Sequence, residues 1–160
     1  MAGENKDKDL YFQVEGIKYE DIAEMYNSED QHGREKGLNS ISIHARKTRS
    51  LAVGKEVTVN NHKIALLKYR GIVYAMDSKC PHMGGPLHLG DIEELGEAKL
   101  PCIVCPWHSW KYSLSTGEIK SPLYQNVKVT VYPVIVKDNG SLHVGFERIS
   151  PDYFNCIMDF

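Results

Sequence analysis

The chain has 160 residues, 42% of them hydrophobic, which is enough for one domain with its own core and excludes a disordered chain. The net charge of −2 argues against a nucleic-acid-binding protein. The longest apolar runs, such as Val134–Val136, are far shorter than the roughly 20 residues of a transmembrane helix, and the polar, acidic N-terminus lacks the apolar core of a signal peptide. We therefore predict a soluble, cytoplasmic protein that binds neither membranes nor nucleic acid.

The first 40 residues differ in charge from the rest of the chain, because they hold ten acidic and five basic side chains while basic ones are in excess afterwards. Within residues 17–27, apolar Ile22 and Met25 fall at helical spacing behind two acidic residues that suit the first turn of a helix. Residues 27–40 are polar and contain two glycines, as is typical of a linker. We predict that residues 1–40 form a partly flexible acidic arm with at most one short helix.

From residue 41 the pattern changes to short stretches in which apolar and polar residues alternate, which is typical of β-strands. We predict strands at 57–59, 63–69, 72–76, 100–104, 110–114, 127–131 and 142–146. Turn signals separate several of them, at Asn60-Asn61, Arg70-Gly71, 115–118 and Asp138-Asn139-Gly140. Strands at this spacing predict an all-β fold, a small antiparallel sandwich or barrel over residues 41–149, followed by an apolar-aromatic C-terminal tail at 150–160.

Two short motifs each combine one cysteine with one histidine, Cys80-Pro81-His82 and Cys105-Pro106-Trp107-His108. Each follows a predicted strand and is rich in turn residues, so two bent loops can project their ligands toward one region. Two sulfurs and two imidazole nitrogens suit either an iron–sulfur cluster or a zinc ion. We call residues 80–86 the first loop and residues 105–110 the second loop, and we take the four side chains as candidate metal ligands.

Zinc is the remote alternative, a structural module held by the same four residues. Zinc motifs usually pair like ligands, whereas each motif here is mixed, and the Cys-x-His spacing is tight for zinc. Cys102 and Cys105 formally make a Cys-x-x-Cys motif, but Cys102 precedes β-branched residues on a predicted strand. A buried apolar thiol is therefore the better interpretation of Cys102 than a redox-active one.

Together the two motifs closely resemble the cluster-binding loops of the Rieske family. The first resemblance is carried by Cys80-Pro81-His82-Met83-Gly84-Gly85-Pro86-Leu87-His88-Leu89-Gly90-Asp91. The second is carried by Cys105-Pro106-Trp107-His108, followed by Trp110, Tyr112 and Ser115-Thr116-Gly117. The resemblance covers about residues 50–147 and implies a Rieske-type antiparallel β-sandwich or barrel with a small cluster-binding subdomain.

The resemblance also implies a cofactor, one [2Fe–2S] cluster. Cys80 and Cys105 would bind its buried iron, and His82 and His108 its outer iron. Imidazole ligands lower the negative charge of the cluster, so the family's potentials, from about −150 to about +300 mV, run above those of all-cysteine ferredoxins.

The function that follows from the resemblance is that of a soluble one-electron carrier between a reductase and an oxygenase or other acceptor. Only His143 follows His108 among the histidines, so the mononuclear iron site of Rieske oxygenases is missing and we predict no catalytic activity. Two alternatives stay open: a small Rieske subunit of a multicomponent reductase or dioxygenase, and an iron–sulfur redox sensor. We expect a monomer, as suits a mobile carrier.

The position within the family's potential range also follows from the resemblance. The high-potential branch has a disulfide between its loops, but Gly85 and Trp107 stand where the two extra cysteines would be. Trp110 replaces a serine that donates to a sulfur, while Tyr112 keeps the place of a donating tyrosine. With fewer donors, we predict a potential at the low end of the range.

Two further groups are not assigned to the metal. His88 follows His82 by six residues, and we interpret it as a loop or core histidine. The acidic run at 91–97 is interpreted as a solvated loop, with a docking surface for a basic partner as the alternative. Trp107 and Trp110 are expected to cover the centre and pack the loops.

Overall fold

The computed structural model describes residues 10–26, 54–147 and 149–150. These residues form twelve β-strands and two 3-10 turns, at Tyr19–Asp21 and Leu87–Leu89, and no α-helix. The strands are β1 Leu10–Lys18, β2 Glu24–Met25, β3 Lys55–Val59, β4 His62–Tyr69, β5 Ile72–Asp77, β6 Asp91–Leu95, β7 Leu100–Val104, β8 Lys111–Ser113, β9 Ile119–Ser121, β10 Val131–Tyr132, β11 Val134–Val136 and β12 Ser141–Phe146. The predicted all-β class is confirmed.

Three sheets make up the described part of the chain. The first has the order β1-β12-β11, and the second has the order β10-β5-β4-β2 with β3 also paired to β4. The third is the meander β6-β7-β8-β9. All strand pairs are antiparallel except β2 with β4. The third sheet is formed by consecutive strands, and the second loop connects its strands β7 and β8.

β4 is the central strand of the second sheet, and both of its faces are buried. Ala65 and Leu67 point into a core that also contains Cys80 and Cys105, whereas Ile64 and Leu66 point into a second core beneath β1 and β12. A strand buried on both faces needs a continuous apolar run instead of alternation, and the sequence Ile-Ala-Leu-Leu supplies it. The candidate ligand loops therefore rest directly on the core of the protein.

The predicted turns between these strands are confirmed. Asn60 and Asn61, between β3 and β4, both have positive φ, 49° and 59°, as a two-residue type I′ hairpin turn requires. The turn after β11 has Gly140 at φ 84° and leads into β12. Of the predicted strand at 127–131, only Val131 lies in a strand, because β10 is Val131–Tyr132 and pairs there with β5. Val129 is nevertheless buried.

The helical spacing within residues 17–27 does not produce an α-helix, since the helical segment there is the 3-10 turn Tyr19–Asp21. β1 pairs with β12 from Leu10 opposite Phe146 onward, and the chain then makes the single 3-10 turn before β2 joins β4. The buried Val14 and Ile22 pack in the second core. This packing stabilises the paired strand relative to a free amphipathic helix. Residues 10–26 are thus part of the sheets, not an arm. Residues 1–9, 27–53 and 151–160 lie outside the described residues, so the proposed divisions at 40 and 150 stay predictions.

The acidic run at 91–97 is also not a solvated loop, because it begins with strand β6, paired with β7. Glu94 accepts hydrogen bonds from the Tyr69 hydroxyl and the Arg70 guanidinium, and Glu93 pairs with Lys111 at 2.5 Å. These carboxylates are tied to neighbouring strands. Within the described residues, no helix has the length and apolar character to cross a membrane.

Candidate metal centre

The two loops have the same backbone hydrogen-bond pattern. In the first loop, the Cys80 N–H donates to the carbonyl of Gly85 (2.8 Å) and the Gly84 N–H donates to the carbonyl of Cys80 (2.7 Å). In the second loop, the Cys105 N–H donates to Trp110 (2.8 Å) and the Ser109 N–H to Cys105 (2.9 Å). In both loops the fourth residue after the cysteine has positive φ, 79° and 60°.

This shared geometry brings the two cysteines together at the buried end of the loops. Cys80 is 2% exposed and Cys105 is 1% exposed, and the Cys80 thiol lies close enough to Cys105 to affect its pKa. Burial raises the pKa of the Cys105 thiol, and the adjacent Cys80 raises it further. The backbone N–H groups of Trp107 and His108 act in the opposite direction because they donate to the sulfur. Such donors are those that a metal-bound thiolate accepts.

The two histidines form a second pair, nearer the surface. The ring centroids of His82 and His108 are 5.0 Å apart with the planes at 76°. His82 is half-buried and stacks on Trp110, with centroids 3.7 Å apart and planes at 6°, while His108 is exposed. Trp110 therefore fixes the His82 ring from one side, in keeping with the expected packing role.

One atom of the histidine pair lacks a partner that its environment requires. The Nδ1 of His82 is buried and is the one such side-chain nitrogen or oxygen among the described residues with no hydrogen-bond partner. A buried polar atom without a partner is costly, and native proteins rarely leave one. An imidazole nitrogen in this position is available as a metal ligand.

Tyr112 lies beneath the cysteine pair as the resemblance implied. Its hydroxyl is 3.1 Å from the Sγ of Cys80, and the side chain is fully buried. Burial raises the pKa of Tyr112, and the contact with Cys80 raises it further. The hydroxyl therefore keeps its proton and can donate to a Cys80 thiolate.

Gly85 is a point at which the two loops approach each other closely. A Cβ at this position would lie 2.6 Å from the Sγ of Cys105 and 3.3 Å from the ring of Trp107. No real side chain fits at such a distance, so only glycine allows the first loop to close over the second. Trp107 lies against this glycine but remains 58% exposed, so it covers the loops only in part.

The residues that we set apart from the site lie where their sequence context predicts. Cys102 is fully buried on β7 and its thiol donates to the carbonyl of Leu100 (3.6 Å). His88 lies in the 3-10 turn after the first loop, with Nδ1 3.5 Å from the Oγ of Ser78. The sequence did not indicate a role for Ser78, because its side-chain contacts come from separate elements that no motif links.

Comparisons with known proteins identify the family of this chain. The family of soluble Rieske-type ferredoxins matches residues 43–144. A human Rieske domain-containing protein is 36% identical over 141 residues, covering 72% of this chain and 84% of that protein. The ferredoxin component of an alkene monooxygenase system from Xanthobacter autotrophicus is 30% identical over 91 residues, covering 57% of this chain and 68% of that protein.

A solved structure shows the same fold. A Mycobacterium tuberculosis protein, described as the small subunit of an NADH-dependent nitrite reductase, superposes with a TM-score of 0.61 at 16% identity. The match covers 89% of this chain and 97% of that one. The fold and the loops define an electron-transfer protein of the Rieske class. The chain belongs to the soluble Rieske-type ferredoxins, a family whose domain carries a [2Fe–2S] cluster.

The residues present fit that cofactor. A Rieske cluster takes two cysteines at one iron and two histidines at the other, so its ligands form two pairs. The structure has a buried thiol pair and a more exposed imidazole pair with one unpartnered nitrogen. In the part of the chain that the structure describes, no three His, Cys, Asp or Glu side chains are grouped around a single metal position.

We expect the stability of the protein to fall at high pH in a way that depends on Cys102. Burial raises the pKa of its thiol from 9.0 to about 11. The folded state then holds this proton more tightly than the unfolded state, so the contribution is intact below pH 9 and is lost as the pH rises toward 11. Thermal unfolding at pH 7–11 should show a steeper decline for the native protein than for Cys102→Ala. Parallel curves would contradict this assignment.

Proposed function

We propose that Cys80 and Cys105 bind the inner iron of a [2Fe–2S] cluster, that His82 and His108 bind the outer iron, and that the protein carries single electrons between a reductase and an oxygenase or other acceptor. The observation that carries the proposal is the buried, unpartnered Nδ1 of His82 beside a second histidine and above a buried cysteine pair. When bound, the cluster supplies a one-electron redox couple.

The buried and the exposed residues of the site would then have different roles. The buried cysteines keep water from the inner end of the site, and the Tyr112 hydroxyl donates one hydrogen bond to the Cys80 sulfur. His108 lies at the surface, and so it marks the short route by which an electron would enter or leave. Met83 and Trp107, 61% and 58% exposed, provide apolar surface in the same two loops for a partner protein.

The relatives support this role as a component of a larger system. The Xanthobacter relative is the ferredoxin component of an alkene monooxygenase system. We propose a comparable setting here, with the chain acting as a monomer and its partners recognised through the loop surface. The small-subunit alternative predicts instead a stable complex, which co-purification with a large partner would reveal.

The experiment that tests the proposal is electron paramagnetic resonance of the purified protein before and after dithionite, with iron and zinc counted on the same sample. We expect two irons per chain and a rhombic signal that appears only on reduction. One zinc per chain with a silent spectrum would make the protein a structural zinc module and remove the electron-transfer role. A sample without either metal should acquire two irons per chain on reconstitution with iron and sulfide, and a failure to do so would also contradict the proposal.

We expect the reduction potential to lie in the lower half of the family's range of about −150 to +300 mV. The resemblance implies few donors to the sulfurs, and among the described residues the Tyr112 hydroxyl lies 3.1 Å from the Sγ of Cys80. Because a hydrogen bond to sulfur favours the more negative reduced state, Tyr112→Phe should lower the potential further. Tyr19→Phe is the matched control, since that hydroxyl donates to the carbonyl of Gly71 in the turn between β4 and β5. A higher potential in Tyr112→Phe would contradict the assignment.

A further inference from the structure

The two ligand loops differ in how their ends are held. The second loop lies at the tip of a regular hairpin, where β7 and β8 form three successive pairs that end at Val104 opposite Lys111. The first loop has only an isolated bridge between Lys79 and Pro86 at its base. The backbone alone therefore closes the first loop less firmly than the second, although both loops carry one cysteine and one histidine.

A buried serine lies directly below that bridge. Ser78 is 1% exposed, its N–H donates to the carbonyl of Lys63 (3.0 Å), and its carbonyl accepts from the N–H of Leu87 (2.8 Å). These two bonds join β4, the end of β5 and the segment that leaves the first loop. Ser78 is thus the residue at which the loop meets the body of the protein.

The side chain of Ser78 extends this junction to a third strand. Its hydroxyl donates to the carboxylate of Glu56 on β3, and it lies 3.5 Å from the Nδ1 of His88. The same imidazole nitrogen is 3.7 Å from the Glu56 carboxylate. The hydrogen bond from Ser78 lowers the pKa of Glu56, and His88 lowers it further, so Glu56 is ionised at neutral pH.

His88 is itself held in place by the backbone. It is the middle residue of the 3-10 turn Leu87–Leu89, and its carbonyl accepts from the N–H of Gly54 (2.8 Å). A hydrogen bond to a charged carboxylate is among the stronger ones in proteins, and here it connects both ends of the first loop to β3.

We propose that Glu56, Ser78 and His88 form a positioning network that closes the base of the first loop and so sets the placement of Cys80 and His82. The part that concerns the cluster rests on the proposed function, whereas the hold on the loop can be measured independently of electron transfer. The network touches none of the four proposed ligands and acts through the loop.

Amide hydrogen exchange on the purified full-length protein tests the hold on the loop, because its readout does not depend on electron transfer. Glu56→Gln keeps the size of the side chain and removes its charge, and it should accelerate exchange of residues 80–87 by roughly tenfold to hundredfold. Ser78→Ala should act on the same residues. Glu118→Gln is the matched control, because that carboxylate forms an exposed ion pair with Lys120 and has no contact with the first loop. Unchanged exchange, or acceleration spread evenly over β3, β4 and β5, would overturn the proposal.

The loaded protein supplies a second readout that general destabilisation would not change. In Glu56→Gln the reduced resonance signal should broaden and the midpoint potential should shift, while Glu118→Gln should match the native protein in both. Identical spectra and potentials in all three proteins would overturn the positioning role. A native protein that binds no cluster would refute the proposed function, and the exchange data would still decide whether the network holds the loop.

Discussion

Replacing Cys105 with serine is expected to abolish the [2Fe–2S] resonance signal completely, whereas replacing Cys102 with serine should leave it intact. Both residues are buried and lie three positions apart, but only Cys105 has its thiol against Cys80 and receives backbone N–H donors. The Cys102 thiol donates instead to the carbonyl of Leu100 within its own strand. The measurement is the reduced spectrum and the iron content of each purified variant.

This pair of variants separates a ligand from a buried neighbour of the same chemical type. His108→Ala extends the test to the outer pair, where loss or conversion of the signal is expected because water replaces an imidazole ligand poorly. Circular dichroism of each variant shows whether the β-fold remains. A signal that survives in Cys105→Ser and disappears in Cys102→Ser would refute the proposed ligand set.

The second large loss of cluster is expected from Gly85→Ala, which adds a single methyl group. Gly85→Ala would place a Cβ 2.6 Å from the Sγ of Cys105, so the first loop must move away from the second. Overpacking of this kind costs about 1–3 kcal/mol of stability, and the displaced loop would separate the ligand pairs. We expect iron content and the reduced signal to fall to a small fraction of the native values.

Gly84→Ala is the control for this substitution. Gly84 has φ 79°, but a Cβ there would meet no atom within 4 Å. Alanine at position 84 should therefore cost about 1 kcal/mol through backbone strain and still leave the cluster bound. If both variants kept a native iron content, close contact between the loops would not be a requirement of the site.

The central part of the fold could be predicted from the sequence because its signals are local. Alternation around Val57 and Val59 specifies a strand, and the pair Asn60-Asn61 tolerates the left-handed backbone of a two-residue turn. The continuous apolar run in β4 is consistent with a strand covered on both faces. Each of these patterns depends on residues within a few positions of one another.

The prediction for the N-terminal segment failed because the signal that decides its structure is not local. Residues 17–27 have a weak helical period, and the strand β1 gains its stability from pairing with β12, more than 120 residues later in the chain. The acidic run at 91–97 was misinterpreted in the same way, because Glu93 and Glu94 are bonded to Tyr69, Arg70 and Lys111 from other parts of the chain. Charge alone did not reveal those partners.

The sequence by itself determined the type of site, because the two spaced motifs contain all four proposed ligands and the turn residues that bend their loops. Only the tertiary structure decided how these residues are arranged: thiols buried and paired, one imidazole half-buried against Trp110 and the other at the surface. The network of Glu56, Ser78 and His88 also became visible only there. Ligand identity is encoded in short stretches of chain, whereas burial, stacking and the closure of a loop depend on contacts between strands that are far apart in sequence.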